Sequence, residues 1–439
     1  MPKNHKILTE YPIGKTIRHY ALPAVMGLLF YGMQNVVDGV IVGRFIGTDA
    51  LAGVNLITPL YSAIAFIAIM AGVGSQATIG ISMGEKNIEK AKNAITTGAI
   101  FVFICCFLLS IPALLFSGAI ISVLGADTQL APYSMGYMKG LLIFSPFIAL
   151  MFYSDCMLKV SGHPRYAFAV MAVTIVINTF LNIFFIKELS LGTLGVGLAT
   201  GGAFAIGSVM GSFILFNSKN TISMLSGKFK LKILKEILYN GSSEGMNELA
   251  IGISLLIFNY TLMKYVGADG VAAFTVINYI CFLGTTIFLG ISDGMIPIIS
   301  YNYGAGNLNR IKKVLKLTAK INLTVGTSIF IILILFSGKL VMLFLGDDDT
   351  QIIKMTITGA SIYSFSFLIG GFNILLSSYY TALAKAKYSL IIALLRGLVF
   401  IALGLWILPL FFGITGIWLT VPIAEFLTFL VALFIYRLK

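Results

Sequence analysis

Residues 44–49 read RFIGTD, and residues 264–269, which lie 220 positions later, read KYVGAD. The same offset relates further identities in order along the chain: Gly74 and Gly294, Gly84 and Gly304, Asn87 and Asn307, and the FSG triplets at 116–118 and 336–338. At offsets of 221 to 222 the matches continue: the LG pairs at 124–125 and 345–346, Tyr166 and Tyr388, and Gly195 and Gly416. Internal similarity of this kind is typical of a duplicated structural unit. The sequence therefore predicts two halves that share one fold.

The composition places most of the chain in a membrane. Of its 439 residues, 58% are hydrophobic and 11% are charged, and the mean hydropathy is +0.97. A transmembrane helix needs about 20 mainly apolar residues, and such stretches recur along the whole chain. We predict twelve spans: 20–43, 51–83, 94–117, 133–158, 166–187, 194–217, 237–263, 270–303, 315–336, 357–382, 388–410 and 414–436.

Each half then contains six spans, and an even number of spans returns the chain to the side on which it started. The halves therefore have the same topology, and their symmetry axis should run along the membrane normal. The predicted fold class is an all-α integral membrane protein of about twelve transmembrane helices in two six-helix lobes. We assign residues 1–218 to the N-terminal lobe, 219–236 to a basic cytoplasmic linker and 237–439 to the C-terminal lobe.

The distribution of basic residues predicts the orientation. With both termini in the cytoplasm, the inner segments contain 23 of the 30 Lys and Arg residues, six lie outside and Arg396 lies within a span. Cytoplasmic loops of membrane proteins carry such an excess of positive charge. We therefore expect a multi-pass protein of the cell membrane with both termini cytoplasmic.

The sequence lacks the motifs that are typical of several functional classes. There is no G-x-x-x-x-G-K-[ST] phosphate loop and no polar stretch long enough for a nucleotide-binding domain, so we do not expect direct use of ATP. The three histidines lack ligand spacing, and no nucleophile lies in a recognisable catalytic context. We predict that the chain is not an enzyme, needs no cofactor, binds no nucleic acid and takes its energy from an ion gradient.

Asp38 is the first candidate functional residue, because an ionisable side chain inside a span costs at least about 2.5–3.5 kcal/mol to insert. It lies two thirds of the way along the first span, with no basic residue within a helical turn. Its carboxylate either binds a cation or takes a proton; the alternative is a neutral carboxyl held by hydrogen bonds. Asn178 and Asn182 share one face of span five, where they can offer amide oxygens to a cation or bond between helices.

A second candidate set contains the other charged residues in or near the spans. The acids are Asp155, Glu244, Glu248, Asp293 and Glu425, and Arg396 is the only basic residue that we place deep in a span. Some of these acids should pair with Arg396, because a buried arginine without a counter-charge is costly. Glu244 and Glu248 lie one turn apart, either in a site or at the cytoplasmic water boundary. Residues that could line an apolar cavity and stack on aromatic cations are Tyr31, Met33, Phe152, Tyr153 and Tyr279.

Several motifs resemble those of multidrug and toxic compound extrusion (MATE) exporters, especially bacterial ones. In the first half these are ALPA at 21–24, Asp38, and the G-x-x-A-L-A step at 47–52. In the second half they are GMIP at 294–297 and YNYGA at 301–305, followed by Asn307. The resemblance covers essentially the whole chain. It implies a V-shaped pair of six-helix lobes that exports organic cations in exchange for Na⁺ or H⁺.

The resemblance also implies roles for individual residues. Asp38, Asn178 and Thr200 match family positions that line a cation site, and Pro23 matches a proline at which the first helix bends. Asn182 is a departure, because many members carry aspartate at this position. A proton alone can neutralise Asp38, whereas Na⁺ would also need the oxygens of Asn178, Asn182 and Thr200, so both coupling ions stay open.

For the substrate, Asp155 resembles an acidic position in some bacterial drug exporters, and we assign it to recognition of substrate charge together with Glu244, Glu248 and Asp293. The predicted function is antiport by alternating access, in which each ligand binds the two states with different affinity. The alternative is a lipid-linked oligosaccharide flippase of related architecture, which needs a basic cavity, whereas the deep charges here are mostly acidic. We expect a monomer whose partners are membrane lipids and a small organic cation.

Overall fold

Long helices account for the regular structure of the residues that the computed structural model describes, 3–216, 223–342 and 350–437. Helices are expected here, because the backbone of a membrane span must satisfy its own hydrogen bonds. The first half contains α1 (Lys3–Thr9), α2 (Ile13–Phe45), α3 (Thr48–Asn55), α4 (Thr58–Gly84), α5 (Ile88–Leu115), α6 (Ser117–Val123), α7 (Ala131–Ile143), α8 (Ser145–Val160), α9 (Pro164–Lys187) and α10 (Gly192–Phe216). The second half contains α11 (Leu231–Tyr265), α12 (Ala268–Gly304), α13 (Leu308–Met342), α14 (Thr350–Ser364), α15 (Phe367–Ala382), α16 (Ala386–Leu394) and α17 (Phe400–Arg437), with a π-helical turn at Leu395–Val399 between the last two.

The described helices contain up to twelve candidate membrane spans. By length and composition, nine stretches can span a membrane, and two bent pairs, α7 with α8 (58°) and α14 with α15 (50°), bring the number to eleven when each pair is counted as one span. The ninth stretch, Ala386–Arg437, has 52 residues. At about 1.5 Å per residue it would be far longer than a hydrocarbon core of about 30 Å.

This last stretch folds back on itself at Gly413. The backbone there has φ 54° and ψ −134°, which is not helical. A Cβ built on Gly404 would lie 2.8 Å from Thr420, and one on Gly416 would collide with the Leu408 carbonyl. The segments before and after Gly413 are therefore two antiparallel helices, and the prediction of twelve spans is confirmed.

A pseudo-two-fold axis relates the two halves. A Cβ built on Gly80 would collide with the Ser300 side chain, and one on Gly84 would lie 2.9 Å from the carbonyl carbon of Gly304. Both pairs are separated by the repeat offset of 220 residues. Residues related by a two-fold axis touch only where the axis passes between them. The axis therefore runs between α4 and α12, which cross the membrane in the same direction, as predicted.

The halves pack tightly near one membrane face, which we call the terminal face because α2 begins and α17 ends there. Gly74 of α4 packs on the backbone of Ile237 and Gly241 in α11. Gly294 of α12 packs on α2, and a Cβ built on Gly294 would lie 2.6 Å from Ala21 Cα. The repeat offset of 220 relates Gly74 to Gly294 and Ala21 to Gly241, so the two contacts are equivalent under the pseudo-two-fold axis. Residues without bulky side chains allow helix backbones to approach closely in a membrane. We call this contact the seam between the lobes.

Two sequence predictions concern chain geometry. α11 begins at Leu231, inside the predicted linker 219–236, and residues 217–222 lie outside the described residues. The part of the linker before α11 is held on α5, where the Asn93 side chain accepts from the Lys228 backbone N–H at 2.7 Å. α2 continues through Pro23 as one helix, so the bend inferred from the resemblance stays a prediction.

Candidate functional site

The carboxyl of Asp38 lies between α2 and α9 and is held by amides. Asn182 donates from Nδ2 to Asp38 Oδ1 at 2.8 Å, and Gln34, one turn earlier on α2, also donates to this carboxyl. Among the described residues, no basic side chain forms a salt bridge with Asp38. The carboxyl is therefore hydrogen-bonded but has no fixed positive partner.

A chain of buried polar side chains extends from this carboxyl. Asn182 Nδ2 also lies 3.4 Å from Asn178 Oδ1, and Asn178 Nδ2 donates to Thr200 Oγ1 at 3.3 Å. Both asparagines are fully buried and Thr200 is nearly so. The structure thus brings together the four residues predicted for the cation site, on α2, α9 and α10. Their role in binding an ion stays a prediction.

Two amide oxygens beside Asp38 have no hydrogen-bond partner within the described ranges. They are Oε1 of Gln34 and Oδ1 of Asn182, and both side chains are buried. An unsatisfied buried acceptor costs about 1–3 kcal/mol, so its retention needs a reason. Amide and carboxylate oxygens are the donors that hard cations prefer. The residues present therefore fit a small cation such as Na⁺, and Asp38 itself fits a proton.

Sequence reasoning missed Gln34, although the signal was available. Its spacing of four residues from Asp38 places both side chains on one face of α2. A neutral amide adds no charge to a hydropathy profile, so it was not considered as a candidate. Its unpartnered oxygen now makes Gln34 the fifth member of the group, which we call the Asp38 site: Gln34, Asp38, Asn178, Asn182 and Thr200.

Aromatic side chains lie on the neighbouring surfaces of α2, α4 and α8. The hydroxyl of Tyr31 lies 3.1 Å from that of Tyr61, and the Tyr31 ring meets Phe152 edge-on at 5.6 Å. Tyr61 was not singled out from the sequence. Tyr153 is fully buried and donates to the Ile95 carbonyl at 2.8 Å, so it lies in the packing between α8 and α5. A substrate contact by Tyr153 would need that bond to break, whereas Met33 and Tyr279 are exposed.

A buried lysine corrects the prediction that Arg396 is the only deep basic residue. Lys159 is 4% exposed and bonds to both Asp155, one turn earlier on α8, and Asp293 on α12, the latter at 2.5 Å. The predicted span four ends at residue 158, whereas α8 continues to Val160. The long side chain reaches back into the protein from the end of the helix. Asp155 and Asp293, both predicted substrate ligands, therefore share one positive charge.

Glu244 and Glu248, deeper on α11, differ from this pair. Glu244 and Glu248 are half-buried, and neither forms a salt bridge within the described parts of the chain. Glu244 lines a small pocket in the second lobe together with the polar side chains of Asn247, Asn373 and Arg396 and several apolar ones. Its contact with substrate stays a prediction.

Glu425 is neutralised by Arg396, as the sequence predicted for some of the acids. Arg396, within the π-helical turn, donates from Nε to Glu425 Oε1 at 2.6 Å. Asn373 donates from Nδ2 to Glu425 Oε2 at 2.6 Å and to the Glu425 carbonyl at 2.8 Å. Both carboxylate oxygens are satisfied, and the charge has a permanent partner.

Comparisons with known proteins agree with this architecture. A model of the MatE family matches residues 23–184 and 246–406. The multidrug export protein MepA of Staphylococcus aureus (strain MSSA476) is 25% identical over 445 residues, which cover 97% of this chain and 94% of that protein. Two solved structures cover 100% of this chain and 98% of their own at 22% identity: a MATE in complex with MaL6 (TM-score 0.94), and an outward-facing multidrug resistance MATE family transporter of the MOP superfamily (TM-score 0.93).

Proposed function

The chain belongs to the MATE family of multidrug transporters, and from this premise we propose that it exports lipophilic or aromatic organic cations in exchange for H⁺ or Na⁺. Members of the family are multi-span membrane transporters and not enzymes. The proposal places the protein in the cell membrane as a monomer, with its terminal face in the cytoplasm. The excess of Lys and Arg in the segments on that side supports this orientation.

The proposal that an ion drives transport rests on the surroundings of Asp38. Asp38 is a half-buried carboxyl within a candidate span, without a salt-bridge partner among the described residues, next to unpartnered oxygens of Gln34 and Asn182. A cation that binds there neutralises the charge of Asp38 and gives the two unpartnered oxygens a hydrogen bond or a metal ion to bind. For coupling, the affinity of this cation must differ between the two states of the transport cycle.

The identity of the ion depends on how many oxygens take part. A proton needs only the Asp38 carboxylate, and the amides of Gln34 and Asn182 can then rotate to accept its hydrogen bond. Na⁺ needs several oxygen ligands, which Gln34, Asn178, Asn182 and Thr200 can supply together with Asp38. Both ions fit the site, and the gradient experiment below separates them.

The proposed substrate class follows from the charges between the lobes. Glu244 and Glu248 have no salt-bridge partner among the described residues, and Asp155 with Asp293 exceed the single charge of Lys159, so the region is negative. Acidic groups gathered in this way concentrate cations. The rings of Tyr31 and Phe152 add faces on which a flat or aromatic cation can stack.

The flippase alternative receives no support from the deep basic residues. Lys159 and Arg396 are both bonded to carboxylates, so neither presents an unopposed charge to a pyrophosphate. Transport of an anionic headgroup would need at least one of these pairs to open. Cation export is therefore the function that the arrangement favours.

The test is ethidium transport by the purified protein in liposomes under an imposed proton or sodium gradient. We expect uphill transport with one of the two gradients and its loss in Asp38→Asn, while the exposed acid Asp269, changed to Asn as a control, leaves transport intact. The active gradient identifies the coupling ion. Absence of transport under both gradients, or full coupled transport by Asp38→Asn, would contradict the proposal.

A further inference from the structure

One buried cation joins the two lobes near the terminal face. Lys159 lies on α8 of the first half and bonds to Asp293 on α12 of the second half at 2.5 Å. The lysine side chain is 5% exposed and the Asp293 side chain 20%. A bond so shielded from water is little weakened by solvent screening. It therefore contributes to the contact between the lobes.

The same ammonium group has a second acidic partner within its own lobe. Asp155 lies four residues earlier on α8 and also bonds to Lys159. Two residues on one rigid helix keep their spacing when the helix moves. Lys159 thus has one partner that moves with it and one that belongs to the opposite lobe.

The cross-lobe partner lies at the seam. Gly294, which follows Asp293, packs on Ala21 of α2. Gly290, one turn earlier, packs on Val25, and a Cβ built on Gly290 would lie 2.5 Å from Val25 Cα. Any motion that opens the terminal face must separate α12 from the first lobe here. Such a motion breaks the Lys159–Asp293 bond but leaves Lys159–Asp155 intact.

We propose that Lys159 is a positioning residue of the transport cycle that alternates between two pairing states. With the seam closed, its ammonium bonds to both acids and holds the lobes together; with the seam open, Asp155 alone neutralises it. Without Asp155, an open seam would leave the partly shielded ammonium without any carboxylate partner, which disfavours the open seam. Asp293 therefore stabilises the closed seam, and Asp155 makes the open seam accessible. This inference rests on the proposed alternation between two states.

The two acids offer a matched pair of variants with opposite expected effects. Spin labels at Arg165→Cys and Lys387→Cys, exposed positions related by the 222-residue offset at the starts of α9 and α16, report the width of the terminal face. The four native cysteines are replaced by alanine, and distances are measured by double electron–electron resonance in lipid nanodiscs. Wild type with and without tetraphenylphosphonium provides the reference distributions.

We expect Asp293→Asn to raise the ratio of long to short distances by at least about fivefold, a modest coupling between two states. Asp155→Asn should lower the same ratio and slow transport. Asp293→Glu keeps the carboxylate and should restore the wild-type distribution, which simple damage to packing would not do. If Asp293→Asn does not fold, the decrease expected for Asp155→Asn tests the inference by itself.

Shifts of the same sign in both Asn variants, or no shift in either, would overturn the role of Lys159 while leaving transport by two states in place. A single distance in wild type, unchanged by tetraphenylphosphonium, would instead contradict the alternation itself. The two failures are therefore distinguishable in one data set.

Discussion

The two lobes share a fold, yet Asp38 in the first lobe and Glu425 in the second have opposite surroundings. In the first lobe, Asp38 receives hydrogen bonds from the amides of Gln34 and Asn182, and no basic partner is found among the described residues. In the second lobe, Glu425 is bonded to Arg396 and Asn373. A carboxylate with a fixed counter-charge gains little from a further cation. The comparison supports the proposal that Asp38, and not Glu425, exchanges an ion.

The repeat shows how far the two lobes have diverged at these positions. The offset of 220 pairs Asp38 with Phe258, which is buried and stacks on Phe274 at a ring distance of 4.5 Å. The offset of 222 pairs Asn182 with Gly404. The second lobe therefore has apolar packing where the first lobe has its site.

The largest effect should come from breaking the charge pair of the second lobe. Arg396→Met leaves Glu425 buried without its partner, which typically costs about 3–5 kcal/mol. We expect a clear fall in the thermal unfolding temperature in detergent, and its recovery in the Arg396→Met/Glu425→Gln double variant. Asp38→Asn should change this temperature far less. Equal destabilisation by Arg396→Met and Asp38→Asn would contradict the difference between the surroundings of Glu425 and Asp38.

Removal of the Gln34 amide should weaken ion binding with little effect on folding. Gln34→Leu deletes one oxygen ligand and one donor to Asp38, and loss of such supporting groups typically lowers metal affinity about 10–100-fold. The measurement is the dependence of ethidium transport on the concentration of the driving ion. Asn373→Leu, the corresponding change beside Glu425, should leave that dependence unaltered; a matching loss there would assign ion binding to both lobes.

Restoring the missing acid should sharpen the selectivity of the Asp38 site. Asn182→Asp adds a second carboxylate beside Asp38. A site with two carboxylates should bind Na⁺ more tightly than a site with one, because cation affinity increases with the charge of the ligands. We expect apparent Na⁺ affinity to rise by about tenfold, the effect of about 1.4 kcal/mol. Sodium titrations of transport in the wild type and variant test this. An unchanged sodium response would mean that Asn182 does not contact the ion.

The smallest effect is expected among the acids assigned to substrate charge. Glu248 has no salt bridge within the described ranges, whereas Asp155 is bonded to Lys159, so Glu248→Gln should raise the apparent KM for ethidium more than Asp155→Asn does. A loss of one unscreened charge contact corresponds to about fivefold in affinity. Export of a neutral dye should change in neither variant. A larger KM effect in Asp155→Asn would return the main recognition role to that residue.

The sequence predicted the architecture well because hydropathy and the internal repeat are properties of the whole chain. It also grouped Asp38 with Asn178, Asn182 and Thr200, although that grouping relied partly on the family resemblance. It missed Gln34, whose importance depends on an oxygen without a partner, and Lys159, whose long side chain returns from a helix end. Tyr153 illustrates a third limit, because only the packing of α8 on α5 shows which way its ring points.

The central claim is that Asp38, and not Glu425, changes its bound cation during transport. Infrared difference spectroscopy of the purified protein, recorded upon addition of the driving ion, detects carboxyl groups that lose a proton or gain a metal ligand. We predict one carboxyl signal in wild type, its absence in Asp38→Asn and its persistence in Arg396→Met/Glu425→Gln. A signal that persists in Asp38→Asn and disappears in the double variant would contradict the account.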